Sequence, residues 1–239
     1  MIAGPNGSGK STLVEELRTS YAISLGYNLN PDALERELGD SGSLDFTKWG
    51  VTVAEPDLQE FLQSHPLATK APLPAIELEG NILTLKKHLP GGYFAAIISD
   101  FLRKRWVASK VSFTFETVMS SPDKVKLLKE ALQIGYRTYL YYVCTDSPRI
   151  NLERVAIRVS QGGHDVPAQK IGERYDRSLS LLPRAVENSS RAYLFDNSGE
   201  EHVLVAEFEE TQLVRVISSP PDWFLDFWKS RSKRRQQKD

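Results

Sequence analysis

The sequence is poor in the residues that cross-link or anchor a chain. It contains one cysteine, Cys144, which excludes an intramolecular disulfide. No run approaches the roughly 18 consecutive apolar residues that a membrane span needs. The four histidines, His65, His88, His164 and His202, have no cysteine or carboxylate partners at metal-ligand spacing, so we expect no structural zinc site. Lys and Arg (30) nearly balance Asp and Glu (31), which excludes a polyanion-binding surface over the whole chain. These absences predict a cytoplasmic protein that folds on its apolar core.

Strands and helices alternate along much of the chain. Apolar segments at 27–30, 111–117 and 138–143 predict strands, and helical patterns separate or follow them. This alternation predicts a three-layer α/β fold with a central parallel sheet. The segments HVLVAEF and QLVRVI predict a C-terminal hairpin appended to that sheet. We expect a single domain over residues 1–228.

Two stretches depart from this simple alternation. Residues from about 39 to 110 are too many for an ordinary crossover, so we expect an insertion that is mostly helical. The first strand has only two apolar residues before a glycine-rich turn, whereas strands usually have about five or six residues. We therefore expect the native first strand to begin upstream of Met1, and the alternative is that this strand is short.

The last eleven residues, KSRSKRRQQKD, contain six Lys or Arg and one Asp. This charge pattern predicts a basic flexible tail over residues 229–239, exposed to solvent. The alternative is a weak contact with nucleic acid or with an acidic partner.

The glycine-rich turn near the N-terminus matches G-x-x-x-x-G-K-[ST], the P-loop or Walker A motif. It follows a short strand and begins a helix, which is the context that its chemistry requires. Its glycines allow the backbone to wrap a phosphate closely, with the positive helix end adding attraction. The motif predicts binding of ATP with Mg²⁺: Lys10 would reach the β- and γ-phosphates and Ser11 would bind the metal ion. The expected ATP-binding residues are Gly4, Pro5, Asn6, Gly7, Ser8, Gly9, Lys10, Ser11 and Thr12.

Several longer strings resemble one family, the zeta-toxin-like P-loop kinases, including a bacterial branch labelled predicted ABC-type ATPases. The matching strings cover most of the chain: AGPNGSGKST, NPDAL, FTFETVMS, NLERVAIRVSQGGHDVPAQKIGERYDRSL and YLFDNS. The resemblance implies ATP-dependent phosphorylation of a small-molecule hydroxyl. The best-known toxins of this family phosphorylate UDP-N-acetylglucosamine, so a UDP-sugar is the leading acceptor. An antitoxin protein is the partner that the resemblance implies.

The resemblance also implies roles for two acidic residues. Asp32 occupies the position of the family's catalytic aspartate, and a carboxylate just beyond a strand is well placed to accept a hydroxyl proton. The alternative is that Asp32 stabilises the first turn of its helix. Glu116 occupies the position of a glutamate that contacts substrate. Its alternatives are organisation of Mg²⁺ and a solvated strand end.

Two pairs of arginines are candidates for a lid over the phosphates. Arg154 and Arg158 are four residues apart, and Arg174 and Arg177 are three apart, so each pair shares a helix face. Arg154 matches the first toxin arginine, and we predict that Arg154 and Arg158 stabilise the transferred group. The second toxin arginine aligns with His164, a departure that makes His164 a candidate phosphate or substrate ligand. Surface ion pairs with Glu153 or Glu173 are the alternative for these arginines.

Two other functions stay open at this level. The chain could be a nucleotide-gated ATP-binding protein that acts through a protein partner, with little phosphoryl transfer. It could also be a toxin whose nucleotide site a neighbouring antitoxin blocks. We expect neither membrane contact nor a nucleic-acid partner.

Overall fold

The chain forms two compact units. The computed structural model describes residues 1–86, 91–163 and 165–236. The first unit combines Met1–Ser24 with Glu116–Asp239, and the second unit is Leu25–Phe115. The second unit includes more of the sequence than the predicted insertion, which covered residues 39–110. The prediction of a single domain over residues 1–228 stays a prediction.

Ten strands form within the described residues. In chain order they are β1 (Ile2–Ala3), β2 (Tyr27–Leu29), β3 (Ser43–Asp45), β4 (Ile76–Glu79), β5 (Ile82–Leu85), β6 (Phe113–Thr117), β7 (Tyr139–Cys144), β8 (Arg191–Asp196), β9 (Val203–Glu209) and β10 (Gln212–Val216).

Eight α-helices and two short 3₁₀ helices, Phe46–Trp49 and Pro66–Thr69, complete this part of the chain. The α-helices are α1 (Lys10–Thr19), α2 (Pro31–Ser41), α3 (Glu55–Ser64), α4 (Gly92–Ala108), α5 (Pro122–Gln133), α6 (Pro148–Ser160), α7 (Ala168–Glu187) and α8 (Asp222–Gln236). Among these described helices, none combines the length and the apolar character of a membrane span.

Seven strands form one sheet in the order β10-β9-β8-β7-β1-β6-β2. β1 pairs in parallel with β6 and β7, β7 pairs in parallel with β8, and β2 pairs in parallel with β6. β9 and β10 are antiparallel additions at one edge. Strand β6 belongs to both units, because its first three residues pair with β2 and its last two pair with β1. The predicted α/β fold with a mostly parallel central sheet and a C-terminal hairpin is confirmed.

The core of the first unit lies around strand β7. Its consecutive residues Tyr142, Val143 and Cys144 are all 0% exposed, so both faces of the strand are covered. Strands of parallel sheets have this continuous apolar character because helices cover both faces. The interpretation of Cys144 as a small core residue is confirmed, and burial raises the pKa of its thiol to about 12.

Helix α7 contains a proline, Pro183, but its apolar residues recur at helical spacing along its whole length. Its buried residues include Ile171, Tyr175, Leu182 and Val186, which recur at helical spacing along one face. Pro183 predicts an interruption, yet the helix continues through it to Glu187. Burial of this long face outweighs the local cost of a proline inside a helix, which is typically about 3 kcal/mol.

The second unit contains a sheet that the prediction of a mostly helical insertion missed. β3, β5 and β4 form a three-stranded antiparallel sheet, accompanied by α2, α3 and α4. Glu79 pairs with Ile82, so β4 and β5 are joined by a two-residue loop, and Gly80 has a φ of 59°. A two-residue loop with Gly first, between apolar segments, is a hairpin signal. The signal was present in the sequence but was outweighed by the longer helical patterns on each side.

The basic C-terminal segment belongs to helix α8 as far as Gln236, whereas the prediction of a flexible tail over residues 229–239 included no helix and stays a prediction. Arg231 is only 2% exposed, and its guanidinium lies 4.8 Å from the ring centroid of Phe208 and 5.6 Å from that of Trp228. It also donates to the carbonyl oxygen of Thr211. A guanidinium can be buried when it stacks on aromatic rings, and a count of charges does not show this. Residues 237–239 of the predicted tail lie outside the described residues.

Candidate functional site

The predicted P-loop has the strand, loop and helix context that the motif requires. β1 ends at Ala3, residues 4–9 form the loop, here called the phosphate loop, and α1 begins at Lys10. Gly7 and Gly9 have φ angles of 75° and 95°, in the left-handed region that side chains disfavour. No side chain caps the N-terminus of α1 within the part of the chain that the structure describes. The loop therefore leads directly into an uncapped helix N-terminus, which is a favourable place for an anion.

Close packing behind the loop is a second reason for its glycines. A Cβ atom on Gly4 would lie 2.0 Å from the carbonyl oxygen of Val143, and one on Gly9 would lie 2.1 Å from Nδ2 of Asn197. Neither position has room for a side chain. The sequence motif assigns these glycines to phosphate binding, and the structure adds that neighbouring groups press against the loop from its other side.

Side-chain donors reach three carbonyl oxygens of the phosphate loop. Nδ2 of Asn151, on α6, donates to the carbonyl oxygen of Asn6. Nδ2 of Asn197, just after β8, donates to the carbonyl oxygen of Ser8 at 2.9 Å. Nε2 of His202 lies 3.2 Å from the carbonyl oxygen of Gly9. None of these three residues was predicted as a site residue.

The ammonium group of Lys10 lies over the start of the phosphate loop. Its Nζ donates to the carbonyl oxygens of Gly4, at 2.9 Å, and of Pro5, at 2.8 Å. These contacts hold a positive charge beside the loop backbone, where a phosphate would be attracted. The predicted position of Lys10 at the phosphate loop is consistent with this geometry, and its role toward the phosphates stays a prediction.

Ser11 and Glu116 meet at the expected metal position. The Ser11 hydroxyl donates to Oε2 of Glu116 at 2.8 Å, and Glu116, on β6, is 8% exposed. A hydroxyl and a carboxylate are the hard oxygen donors that Mg²⁺ prefers, together with substrate phosphates and water. The described residues contain no cluster of three or more His, Cys, Asp or Glu that could hold a metal ion by itself. The contact places the Glu116 carboxylate beside the hydroxyl predicted to bind the metal ion, and the role of Glu116 in substrate contact stays a prediction.

The predicted arginines do not share one environment. Arg154 donates from Nη1 to the carbonyl oxygen of Asn197 at 2.7 Å and from Nη2 to that of Gly199 at 2.9 Å. Arg158 is half-buried on the same helix, α6. Arg174, on α7, reaches the phosphate loop, because its Nη1 lies 3.4 Å from Oδ1 of Asn6. Arg177 forms an exposed ion pair with Glu173, the alternative considered from the sequence.

Two predicted site residues cannot be placed beside the phosphate loop. Asp32 belongs to the second unit, is exposed, and lies in the first turn of α2, where its backbone N–H donates to Oδ1 of Asn30 at 3.0 Å. Both its predicted role as a base and its role at the helix N-terminus are compatible with this position. His164 lies outside the described residues.

The residues missed from the sequence had only weak signals. Asn151 is fully buried on α6, and a polar residue on an apolar helix face is one such signal. Asn197 belongs to the DNS turn after β8, which was noted for the family resemblance alone. His202 was considered only as a zinc ligand. Each acts on residues that are more than 140 positions away in the sequence.

Comparisons with known proteins bear on the fold. No family model and no curated protein matches the sequence. Among solved structures, a chain of the AvrRxo1-ORF1:AvrRxo1-ORF2 complex with sulphate ions matches with a TM-score of 0.56 and 13% identity, over 96% of this chain and 62% of that chain. The complex with ATP gives the same values. A chain of the PezAT toxin–antitoxin system of Streptococcus pneumoniae has a TM-score of 0.48 and 12% identity, over 98% of this chain and 83% of that chain.

This chain therefore spans 62% of the length of the AvrRxo1 chain that it matches. At 13% identity, that similarity supports the α/β fold alone.

Proposed function

We propose that this chain is an ATP-dependent kinase that transfers the γ-phosphoryl group to a hydroxyl of a small molecule. The observation that carries the proposal is the phosphate loop, in which Lys10, the uncapped start of α1 and the Ser11–Glu116 pair converge. These are the parts that a triphosphate and its metal ion need. Further support comes from the similarity in fold to a chain of a complex crystallised with ATP.

The described residues divide the work of phosphate binding. The phosphate loop and the start of α1 bind the phosphates, and Lys10 exchanges its carbonyl partners for phosphate oxygens. Ser11 would bind Mg²⁺ directly through its hydroxyl, and Glu116 would orient the other ligands of the ion. The bound ion would supply positive charge that offsets the negative charge of the phosphates.

Transfer forms a bond between the acceptor oxygen and the γ-phosphorus and breaks the bond to the β–γ bridging oxygen, so ADP leaves. Asp32 accepts the proton of the acceptor hydroxyl. Arginine side chains stabilise the charge on the transferred group, and the candidates are Arg154, Arg158 and Arg174. Arg174 has the most direct support, because it already contacts the phosphate loop at Asn6.

UDP-N-acetylglucosamine is the first acceptor to test, on the basis of the family resemblance. The histidine at position 164, where the toxins have an arginine, makes a different acceptor the main alternative. An antitoxin protein is the proposed partner; the chain matched in the PezAT structure comes from a toxin–antitoxin system.

The test is transfer of labelled phosphate from Mg-ATP, first to UDP-N-acetylglucosamine and then to a metabolite extract. We expect a labelled product with the wild type and none with Lys10→Ala. A labelled metabolite other than the sugar nucleotide would keep the kinase and replace the acceptor. ATP binding without any labelled product would contradict the kinase and favour a nucleotide-gated protein that acts through a partner.

A further inference from the structure

Three side chains contact the phosphate loop through its carbonyl oxygens. Asn151, Asn197 and His202 approach the carbonyl oxygens of Asn6, Ser8 and Gly9 respectively. They come from three places in the chain: helix α6, the turn after β8, and the residue before β9. The first two are 0% and 8% exposed as whole residues, and the side chain of His202 is 4% exposed.

We propose that these three residues, here called the brace, position the phosphate loop for triphosphate binding, and that Arg154 belongs to the same positioning network. This inference rests on the proposed function, because it assumes that the loop binds phosphates. It assigns the brace no contact with ATP. It also changes the predicted role of Arg154 from a ligand of the transferred group to a positioning residue.

The geometry of the peptide group explains how a contact on one side acts on the other. In a planar trans peptide, the carbonyl of one residue and the N–H of the next point in opposite directions. Asn151 and Asn197 hold the carbonyls of Asn6 and Ser8, so they fix the directions of the next N–H groups, which belong to Gly7 and Gly9. At the carbonyl of Gly9, which precedes the N–H of Lys10, His202 adds a second contact to the hydrogen bond from the Leu13 N–H. A peptide that flipped would turn a carbonyl oxygen toward the anion and repel it. Glycine-rich loops flip easily, so they have the greatest need of such contacts.

Gly9 shows that the brace and the loop fit closely together. A Cβ atom at this position would lie 2.1 Å from Nδ2 of Asn197 and 3.0 Å from Nε2 of His202. The brace therefore occupies the space that any side chain at Gly9 would need.

His202 is itself held on its other ring nitrogen. Its Nδ1 lies 2.9 Å from Oε1 and 3.0 Å from Oε2 of Glu16, on α1, and its ring packs edge-on against Phe195. Both ring nitrogens of His202 therefore face oxygen atoms that accept hydrogen bonds, a carboxylate on one side and a main-chain carbonyl on the other. His202 thus links the loop residue Gly9 to the second turn of the helix that follows it.

Arg154 contacts the brace residue Asn197, and its described hydrogen bonds do not reach the phosphate loop. Both of its guanidinium contacts are to carbonyl oxygens, at Asn197 and Gly199, and they fix the turn that carries the Asn197 side chain. A guanidinium with two well-formed main-chain contacts is oriented toward the turn that it holds.

The experiment measures the affinity of the purified chain for inorganic triphosphate and for Mg-ATP, by calorimetry, with no acceptor present. We expect His202→Ala to weaken both affinities by up to about tenfold, the effect of losing one hydrogen bond. His202→Gln retains a donor for the carbonyl of Gly9, so we expect an affinity within about threefold of the wild type. Rescue by glutamine also shows that the protein tolerates substitution at this position.

His65→Ala is the matched control. His65 is also a mostly buried histidine that contacts a carboxylate, since its Nε2 lies 3.2 Å from Oδ2 of Asp100, but it belongs to the second unit. We expect it to lower the melting temperature while leaving triphosphate affinity unchanged. A purely structural role of His202 would give the same pattern as His65, with no loss of affinity in the folded variant, and would overturn the proposal.

Arg154→Gln distinguishes the two roles of the arginine. We expect weaker triphosphate binding in the absence of any acceptor, because the turn that carries Asn197 loosens. If the variant binds triphosphate like the wild type but transfers phosphate more slowly, Arg154 stabilises the transferred phosphoryl group and is not a positioning residue. If the wild type binds triphosphate but forms no product, the kinase fails and the brace stands. If the wild type binds and His202→Ala binds equally well, the brace alone fails.

Discussion

Helices α1 and α2 are of similar length and begin in opposite ways. The side chain of Asn30 caps α2 by accepting from the backbone N–H groups of Asp32, at 3.0 Å, and Ala33, at 3.3 Å, and Asp32 adds a negative charge to the first turn. α1 follows Gly9, with no acidic residue in its first turn and no side-chain cap among the described residues. A helix N-terminus attracts negative charge, which the chain itself supplies at α2. At α1 that charge is left for a ligand to supply.

The comparison indicates that a helix N-terminus is available to an anionic ligand when the chain provides neither a side-chain cap nor an acidic residue there. At α2, a side chain satisfies the first-turn donors and the result is a stable turn. At α1, the supporting contacts are placed on the carbonyl oxygens of the preceding loop instead. The following predictions test this contrast.

The largest expected effect is that of Asp32→Asn on phosphoryl transfer. Loss of a general base typically costs about 10²- to 10⁴-fold in rate. We expect a loss of that order in labelled-phosphate transfer, with ATP affinity unchanged, because asparagine keeps the shape of the side chain. Full turnover by this variant would leave Asp32 with only its position at the start of α2.

Gly9→Ala should weaken ATP binding by about a hundredfold or more, because its Cβ would overlap Nδ2 of Asn197 at a φ of 95°. Gly39→Ala is the control, since Gly39 lies in α2 with nothing within 4 Å of its Cβ position. We expect that control to raise stability by about 0.5–1 kcal/mol and to leave ATP affinity unchanged. Calorimetry and urea denaturation measure the two effects, and equal ATP affinities in the two variants would contradict the packing argument.

Asn30→Ala removes the cap of α2, and we expect it to lower the free energy of unfolding by about 1 kcal/mol. Triphosphate affinity should not change, because the affected donors belong to α2. Urea denaturation measures the free energy of unfolding, and a triphosphate titration measures the affinity. A loss of triphosphate affinity would mean that the two helix starts are not independent.

The smallest effect concerns Cys144. Burial raises the pKa of its thiol from the ordinary value of 9.0 to about 12, so the group stays protonated at pH 8. Because the thiolate is the reactive form, iodoacetamide should not label the folded protein at that pH and should label it after denaturation. Rapid labelling of the folded chain would contradict the buried position of β7.

The sequence predicted the features whose residues are close together along the chain. The phosphate loop and α1 occupy adjacent positions, so spacing alone locates Gly4, Lys10 and Ser11. The parallel sheet was predictable because strands and helices alternate along the chain. The contact between Ser11 and Glu116 was not predicted; it forms because β1 and β6 pair in parallel, which brings their ends together.

The brace could not be predicted, because it depends on contacts between distant segments. Asn151, Asn197 and His202 are polar residues of ordinary type, and only their approach to the loop carbonyls distinguishes them. The burial of Arg231 was missed for a related reason. The whole basic segment was predicted to be exposed to solvent, although the guanidinium of Arg231 is buried against aromatic rings. In both cases the long-range partner decides what the residue does.

The most direct test of the account is calorimetric titration of Mg-ATP into the wild type and into Lys10→Ala. The account predicts saturable one-site binding to the wild type and a loss of affinity of about a hundredfold or more in the variant, because the ammonium that would reach the phosphates is gone. Absence of binding to the wild type, or equal binding by the two proteins, would contradict it.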